Sequence, residues 1–143
     1  EALAPFGPIP YAARYADGSL RLIDTPKGRI LHIGDTGFDK GRPYRDLPAK
    51  HGDIRAAILP VGAYEPRWFM KESHLNPAEA LQVMREVKAR TAIGIHWGTF
   101  EDISDEPLDQ PPKDLEAAKQ ALDTPQNFLV LRHGQTWTPS SAP

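Results

Sequence analysis

Apolar runs in this sequence stop at polar residues that can do chemistry. Residues 29–34 (RILHIG) end in Asp35, residues 54–61 (IRAAILPV) lead into Tyr64, Glu65 and Arg67, and residues 92–95 (AIGI) end in His96. A carboxylate and an imidazole at the ends of buried strands are candidate metal ligands. Each has a competing reading. Asp35 suits a turn aspartate that caps the backbone of Gly37 or Phe38, and His96 suits a hydrogen-bonded histidine at the edge of a core. Two ligands also fall short of a catalytic zinc site, which usually has three and an open position. The segment 62–70 packs Tyr64, Glu65, Arg67, Trp68, Phe69 and Met70 together. It reads either as a substrate-facing wall, with Arg67 for a phosphate or carboxylate, or as a loop folding its aromatics onto the core. Arg67 could instead pair with Glu65 or Asp102. His74 faces the same cleft or is an exposed loop histidine. His32 lies three residues before Asp35, on the opposite face of its strand, and His51 and His133 read as surface or turn residues.

The elements that must position these groups are legible in the spacing. Residues 19–24 alternate, Thr25-Pro26-Lys27-Gly28 is turn chemistry, and residues 29–34 form a second strand, which makes a hairpin. A short helix is expected over 43–50, and residues 54–61 form a strand. A long loop over 62–73 follows. Asn76, Pro77 and Glu79 then make a capping box with proline at the first helical position. Ala80, Leu81, Met84 and Val87 give that helix an apolar stripe. Residues 92–96 form another strand, so strand, helix and strand read as a βαβ unit with both strands buried. A helix over 113–122, a strand over 128–132 and a return pairing by 135–138 complete the expectation. In an α/β sheet, sites collect outside the carboxyl ends of the strands, where Asp35 and His96 stand.

The bulk properties fit one domain. The chain has 143 residues, is 40% hydrophobic and 25% charged, and carries a net charge of −2. With no basic excess to neutralise phosphates, a nucleic-acid partner is not expected. There is no cysteine, which excludes disulfides, thiolate metal sites and a cysteine nucleophile. No apolar run approaches the ~20 residues of a membrane-spanning helix. The 15 prolines exceed an average usage of ~5% and mark extended or irregular stretches at both ends and over 107–112.

Gly34-Asp35-Thr36-Gly37, then Pro60 to Met70, then Asn76-Pro77 with Glu79-Ala80, then Ile95-His96-Trp97-Gly98-Thr99-Phe100 together resemble one known family. It is the C-terminal half of the N-acylphosphatidylethanolamine-hydrolysing phospholipase D family, within the metallo-β-lactamase fold. The resemblance covers about residues 19 to 136. It implies an α/β fold, the C-terminal half of an αββα sandwich, with a mixed sheet and flanking helices. It implies a zinc-dependent hydrolase, a phosphodiesterase of the phospholipase D type acting on N-acylphosphatidylethanolamine or a related substrate. The implied cofactor is zinc, two ions ~3.5–4 Å apart in the intact site, although imidazole and carboxylate suit other divalent metals too. Asp35 resembles the carboxylate that bridges the ions, and His96 resembles the last histidine ligand; these two are the candidate catalytic and metal-ligating residues. Tyr64, Glu65 and Arg67 match the loop beside the metal centre. His74 matches a histidine near the mouth, and these four are the candidate substrate-binding residues.

The family's His-x-His-x-Asp-His motif is absent, since no two histidines here are separated by a single residue. The expectation is therefore either a fragment of a longer enzyme, inactive alone, or a non-catalytic remnant, a half-domain that binds a partner. Half a sandwich leaves one sheet face uncovered, which predicts poor solubility or a homodimer through that face. The expected organisation is an irregular proline-rich segment over 1–18, the half-domain over 19–138 and a disordered tail over 139–143. The expected setting is cytoplasmic, with peripheral contact to a membrane that offers a phospholipid, or with a small-molecule substrate.

Overall fold

The computed structural model describes residues 12–15, 18–122 and 126–138. Its framework is a six-stranded sheet whose spatial order follows the chain. Strands β1 (Ala12–Tyr15), β2 (Gly18–Thr25) and β3 (Gly28–Ile33) form an antiparallel meander. Strands β4 (Ile54–Pro60), β5 (Thr91–Ile95) and β6 (Phe128–Val130) continue it in parallel from β3. The mixed sheet with flanking helices agrees with the α/β expectation. Because β3 to β6 run parallel, their carboxyl ends share one edge. That topology brings Asp35 and His96 to the same place although 61 positions separate them in the sequence.

The connections carry the helices. A 3-10 turn (Asp39–Gly41) and helix α1 (Leu47–His51) join β3 to β4. Helices α2 (Arg67–Met70) and α3 (Pro77–Glu86) join β4 to β5, and α4 (Gln110–Gln120) precedes β6. The capping box forms as its residues require. Glu79 N–H donates to Asn76 Oδ1 at 2.8 Å, and Asn76 N–H donates to Glu79 Oε2 at 3.0 Å. No described helix is long and apolar enough to cross a membrane.

One sheet face holds the core. Leu20, Leu22, Leu31, Ile33, Ala57, Leu59, Val61 and Ala92 lie buried with Leu47 of α1, with Ala80, Leu81, Val83 and Met84 of α3, and with Leu115 of α4. Burying each Leu, Val or Met contributes roughly 1.5–3 kcal/mol, so this face fixes the register of the sheet. The opposite face alternates with it and carries Ile23, Ile30, Ile58, Ile93, Ile95 and Leu129. All six are only half-buried, with Trp137 beside Ile30 and Ala56 at a shallow cleft.

Several element boundaries differ from the sequence reading, mostly at prolines. The helix expected over 43–50 begins only at Leu47, because Pro48 is tolerated in a first turn and not in a helix interior. The helix expected from Lys113 begins at Gln110, which places Pro111 and Pro112 in its first turn, where a missing N–H costs nothing. Within the loop over 62–73, α2 makes one helical turn after Pro66. Residues 12–15 form a strand inside the segment expected to be irregular; the prolines before it hide the pattern. Residues 135–138 do not pair back; Gln135 instead closes a turn on Arg132 through its backbone and its side chain. The tail over 139–143 lies outside the described residues.

Candidate metal centre

Asp35 emerges from β3 through Gly34, and His96 is the first residue after β5. A third group joins them. His74, in the segment between α2 and α3, points its imidazole at the same carboxylate. His96 Nε2 lies 3.1 Å from Asp35 Oδ1, and His74 Nε2 lies 3.9 Å from Asp35 Oδ2. The two imidazoles stack with centroids 5.6 Å apart and planes inclined by 29°. One donor atom from each of the three residues falls within 4.8 Å of the others.

Local backbone contacts hold this convergence. His96 adopts the left-handed conformation at φ 63°, which costs roughly 1–2 kcal/mol for a residue with a Cβ and turns the imidazole from the strand line toward Asp35. Its Nδ1 faces the Gly62 carbonyl at 3.4 Å, which leaves Nε2 for the cleft. Gly62 fits because a Cβ there would meet the His96 carbonyl oxygen at 2.2 Å; the ends of β4 and β5 touch backbone to backbone. On the other side, Gly37 presses against the Lys71–Glu72 backbone, where a Cβ would lie 2.4 Å from the Glu72 carbonyl oxygen. That contact sets the segment leading to His74 against the Asp35 turn. The turn is itself pinned from below: buried Tyr44 donates its hydroxyl to the Gly37 carbonyl at 3.0 Å and meets Thr36 Oγ1 at 3.3 Å.

The three donors open into a cleft of about 690 Å³. Its far wall is the segment from Trp97 to Leu108, acidic at Glu101, Asp102, Asp105 and Glu106 and apolar at Phe100 and Ile103. Phe100 and Ile103 are 69% and 57% exposed. Glu106 fastens this wall by accepting the backbone N–H groups of Tyr64 and Glu65 at 3.2 and 2.9 Å, and Asp105 N–H donates to the Glu65 carbonyl. Tyr64 reaches α4, donating its hydroxyl to Asp114 Oδ2 at 2.5 Å. Burial and the Asp114 carboxylate together push the Tyr64 phenol far above its ordinary range.

The candidates from sequence thus fall into two groups. Asp35, His96 and His74 converge, with His74 as a donor beside the other two. Tyr64, Glu65 and Arg67 stand behind the cleft, in the strap that joins its wall to α3 and α4. Glu65 accepts the Arg67 backbone N–H at 2.8 Å, and Arg67 pairs with Glu79. The structure adds Tyr44, Gly62 and Glu106 to the site and gives Gly37 a backbone contact that its motif does not reveal. Their parts depend on contacts between distant segments, and only the glycines after strand ends gave any local signal.

The residues present fit a divalent metal ion. Tetrahedral ligands at ~2.0–2.2 Å from zinc stand roughly 3.3 Å from one another, and the Asp35–His96 and Asp35–His74 spacings bracket that value. Two imidazoles and one carboxylate with an open side also match the chemistry of a catalytic site.

Residues 18–97 match the family model for the beta-lactamase superfamily domain. The chain is 40% identical over 116 residues to N-acyl-phosphatidylethanolamine-hydrolyzing phospholipase D 1 of Caenorhabditis elegans, an alignment covering 78% of this chain and 32% of that protein. It is 39% identical over 87 residues to the mitochondrial N-acyl-phosphatidylethanolamine-hydrolyzing phospholipase D of Saccharomyces cerevisiae, covering 61% of this chain and 18% of that one. A metal-dependent hydrolase of Pyrobaculum islandicum is 31% identical over 109 residues, covering 76% of this chain and 41% of that protein. The chain spans a third or less of the length of the two phospholipases it matches. With more than half its residues inside the family match, the chain belongs to the beta-lactamase superfamily.

Proposed function

We propose that this chain supplies part of the active site of a metal-dependent hydrolase, a phosphodiesterase of the phospholipase D type acting on N-acylphosphatidylethanolamine or a related lipid. The observation that carries the reading is the convergence of Asp35, His74 and His96 at the carboxyl edge of the sheet, at the floor of a cleft. Two relatives named for hydrolysing that lipid support the substrate class, as do the exposed apolar side chains of Phe100 and Ile103 on the cleft wall, which suit an acyl chain. Asp35, His74 and His96 would hold the metal, with zinc the ion proposed. A bound divalent ion supplies Lewis acidity toward a phosphoryl oxygen or a water molecule. The chain's own contribution is orientation. The Asp35 carboxylate stands 3.1 Å from His96 Nε2 and 3.9 Å from His74 Nε2, so its two oxygens face the two imidazoles across the place a metal ion would take. The stacked histidines set the angle of approach, and the wall from Trp97 to Leu108 limits access of bulk water. Membrane contact, in this reading, is peripheral and runs through the mouth of the cleft.

A second reading, a half-domain that binds a partner, is favoured by the half-buried face of Ile23, Ile30, Ile58, Ile93, Ile95 and Leu129. One experiment separates the two. Zinc content of the purified protein is measured by mass spectrometry beside Asp35→Ala and His96→Ala. Bound zinc that both substitutions abolish supports the hydrolase. Absence of zinc binding in the parent refutes it and leaves the apolar face as the functional surface.

A further inference from the structure

We propose that residues 98–108, the far wall of the cleft, form a lid over the proposed substrate site and that Glu106 is the positioning residue that latches it shut; the inference rests on reading that cleft as the site. Turns and bends alone connect β5 to α4. No residue from Gly98 to Gln110 is buried. The segment is anchored only at its ends, by Trp97, which packs against the core, and by Pro111, buried in the first turn of α4. A stretch of this length without secondary structure or core contact has little apolar burial to hold it in one place. The chain turns into it at Gly98, at φ 71°, a left-handed conformation that glycine adopts at no steric cost.

What closes the lid is polar. Thr99 and Pro107 bond to the flanks at Trp97 and Gln110. Beyond these, among the described residues, the hydrogen bonds from the lid to the rest of the protein all end on Tyr64 and Glu65. Glu106 Oε1 accepts the Tyr64 N–H at 3.2 Å, and Oε2 accepts the Glu65 N–H at 2.9 Å. Asp105 N–H donates to the Glu65 carbonyl at 3.1 Å. Bonds to a carboxylate are charge-assisted and roughly twice as strong as neutral ones. Glutamine replaces it only in part: its carbonyl oxygen accepts, but its amide group meets the second N–H as donor against donor. The catch itself is rigid. The Tyr64 side chain is buried and its hydroxyl donates to Asp114 of α4. Arg67 donates through Nη1 to the carbonyls of Tyr64 and His74, at 3.3 and 3.1 Å, and through Nη2 to both Glu79 oxygens. Tyr64 and Glu65 therefore stay fixed while the lid moves. Phe100 and Ile103 ride on the lid, both exposed, across the cleft from Asp35 and His96. Closure lays their apolar surface over an acyl chain, and opening lets the lipid enter and leave.

The chain has no cysteine, so two spin labels can be placed cleanly, at Ser104→Cys on the lid and at Glu72→Cys, an exposed position before His74. Their separation is read by double electron–electron resonance in the parent background, in Glu106→Ala, in Glu106→Gln and in Glu101→Gln. Glu101 is an exposed carboxylate on the same lid and controls for lost charge. Hydrogen exchange of the Asp105 amide is followed in the same set without labels, since its bond to Glu65 breaks when the lid lifts. Glu106→Ala is expected to raise the ratio of open to closed lid, and with it Asp105 exchange, roughly 10–100-fold, with a longer and broader distance distribution. Glu106→Gln should fall between, and Glu101→Gln should match the parent. A merely structural role would lower Tm and leave the distances and Asp105 exchange as in the parent; that result, or an equal change in Glu101→Gln, overturns the proposal. N-oleoylethanolamine is the ligand probe, with binding measured by equilibrium dialysis. Bound to Glu106→Ala, it should restore the short distance, as a ligand that prefers the closed lid must; bound without that shift, it overturns the lid. If the parent binds none, the reading of the cleft fails, and the distances and Asp105 exchange alone decide the latch.

Discussion

Substituting Gly37 by alanine tests how the proposed site is assembled, because this residue acts through a backbone contact. A Cβ at Gly37 would lie 2.4 Å from the Glu72 carbonyl oxygen, 2.7 Å from its carbon and 2.8 Å from the Lys71 carbonyl oxygen. All are main-chain atoms, so no rotamer change relieves the clash. Ordinary contact begins at 3.4 Å, so the two segments must part by about 1 Å, the difference of those distances. Tyr44 holds the turn on one side, and Leu75, fully buried, holds the other. The displacement therefore falls on the short stretch between, which ends in His74. Adding about 1 Å to the present 3.9 Å puts the His74 and Asp35 donors near 4.9 Å, beyond the roughly 3.3 Å that tetrahedral ligands share. Overpacking of this kind costs about 1–3 kcal/mol of stability, and loss of one donor's placement weakens metal affinity roughly 10–100-fold. The assay is a thermal melt with and without zinc. At a zinc concentration 100-fold above the parent's Kd, binding stabilises the parent by about 2.7 kcal/mol, and a variant bound 100-fold more weakly gains about 0.4 kcal/mol. Gly52→Ala serves as the control: it forces a residue at φ 76° to carry a Cβ, a backbone strain, but nothing lies within 4 Å of that Cβ. It should lower Tm and keep the full zinc increment. A Gly37→Ala protein with the parent's zinc increment would refute the reasoning.

Two further outcomes follow from the same contacts. Tyr44→Phe removes the hydroxyl that serves the Gly37 carbonyl and Thr36 in a fully buried setting; a loss of about 1 kcal/mol is expected in urea denaturation, and an unchanged midpoint would remove Tyr44 from the account of the turn. The Tyr64 phenol is raised above its ordinary range by burial first and by Asp114 second. Its contribution is therefore complete below about pH 10, where the unfolded phenol titrates, and is lost as pH rises above it. Melts between about pH 9 and 11.5 should show the parent losing stability faster than Tyr64→Phe, and parallel curves would contradict the Tyr64–Asp114 bond.

The parts of this molecule governed by local chemistry could be read from its residues. The β2–β3 hairpin follows from Thr25-Pro26-Lys27-Gly28, and the start of α3 from Asn76, Pro77 and Glu79. Asp35 and His96 are legible because a polar residue closing an apolar strand has no apolar packing to explain it, and the parallel topology sets both on one edge. What could not be read depended on contacts far along the chain. The partner of Arg67 is Glu79, a residue already accounted for as a helix cap, so local reasoning gave that carboxylate one task where it has two. His74 sits in an irregular segment whose path is set by the Gly37 contact and the Arg67 bond, so spacing alone placed it near the cleft without fixing the direction of its ring. Tyr44 falls within the short helix that spacing predicts over 43–50, but Pro48 in the first turn starts that helix at Leu47, past Tyr44.

The two glycine contacts give the site a common logic. Gly62 touches the carbonyl of His96, and Gly37 touches the carbonyl of Glu72, two residues before His74. Each histidine is thus approached by a glycine-bearing strand end, and the distance between donors is set by backbone against backbone, which yields little to side-chain repacking. The core lies elsewhere, on the face beneath α3 and α4, while Asp35 and His96 sit at the rim with side chains 53% and 35% exposed. Removing a donor should therefore leave the sheet intact, whereas thickening a glycine disturbs donor and packing together. The left-handed backbone of His96 fits the same division: strain is accepted at the rim because the register of β4 and β5, fixed by their buried face, supplies the stability that holds it.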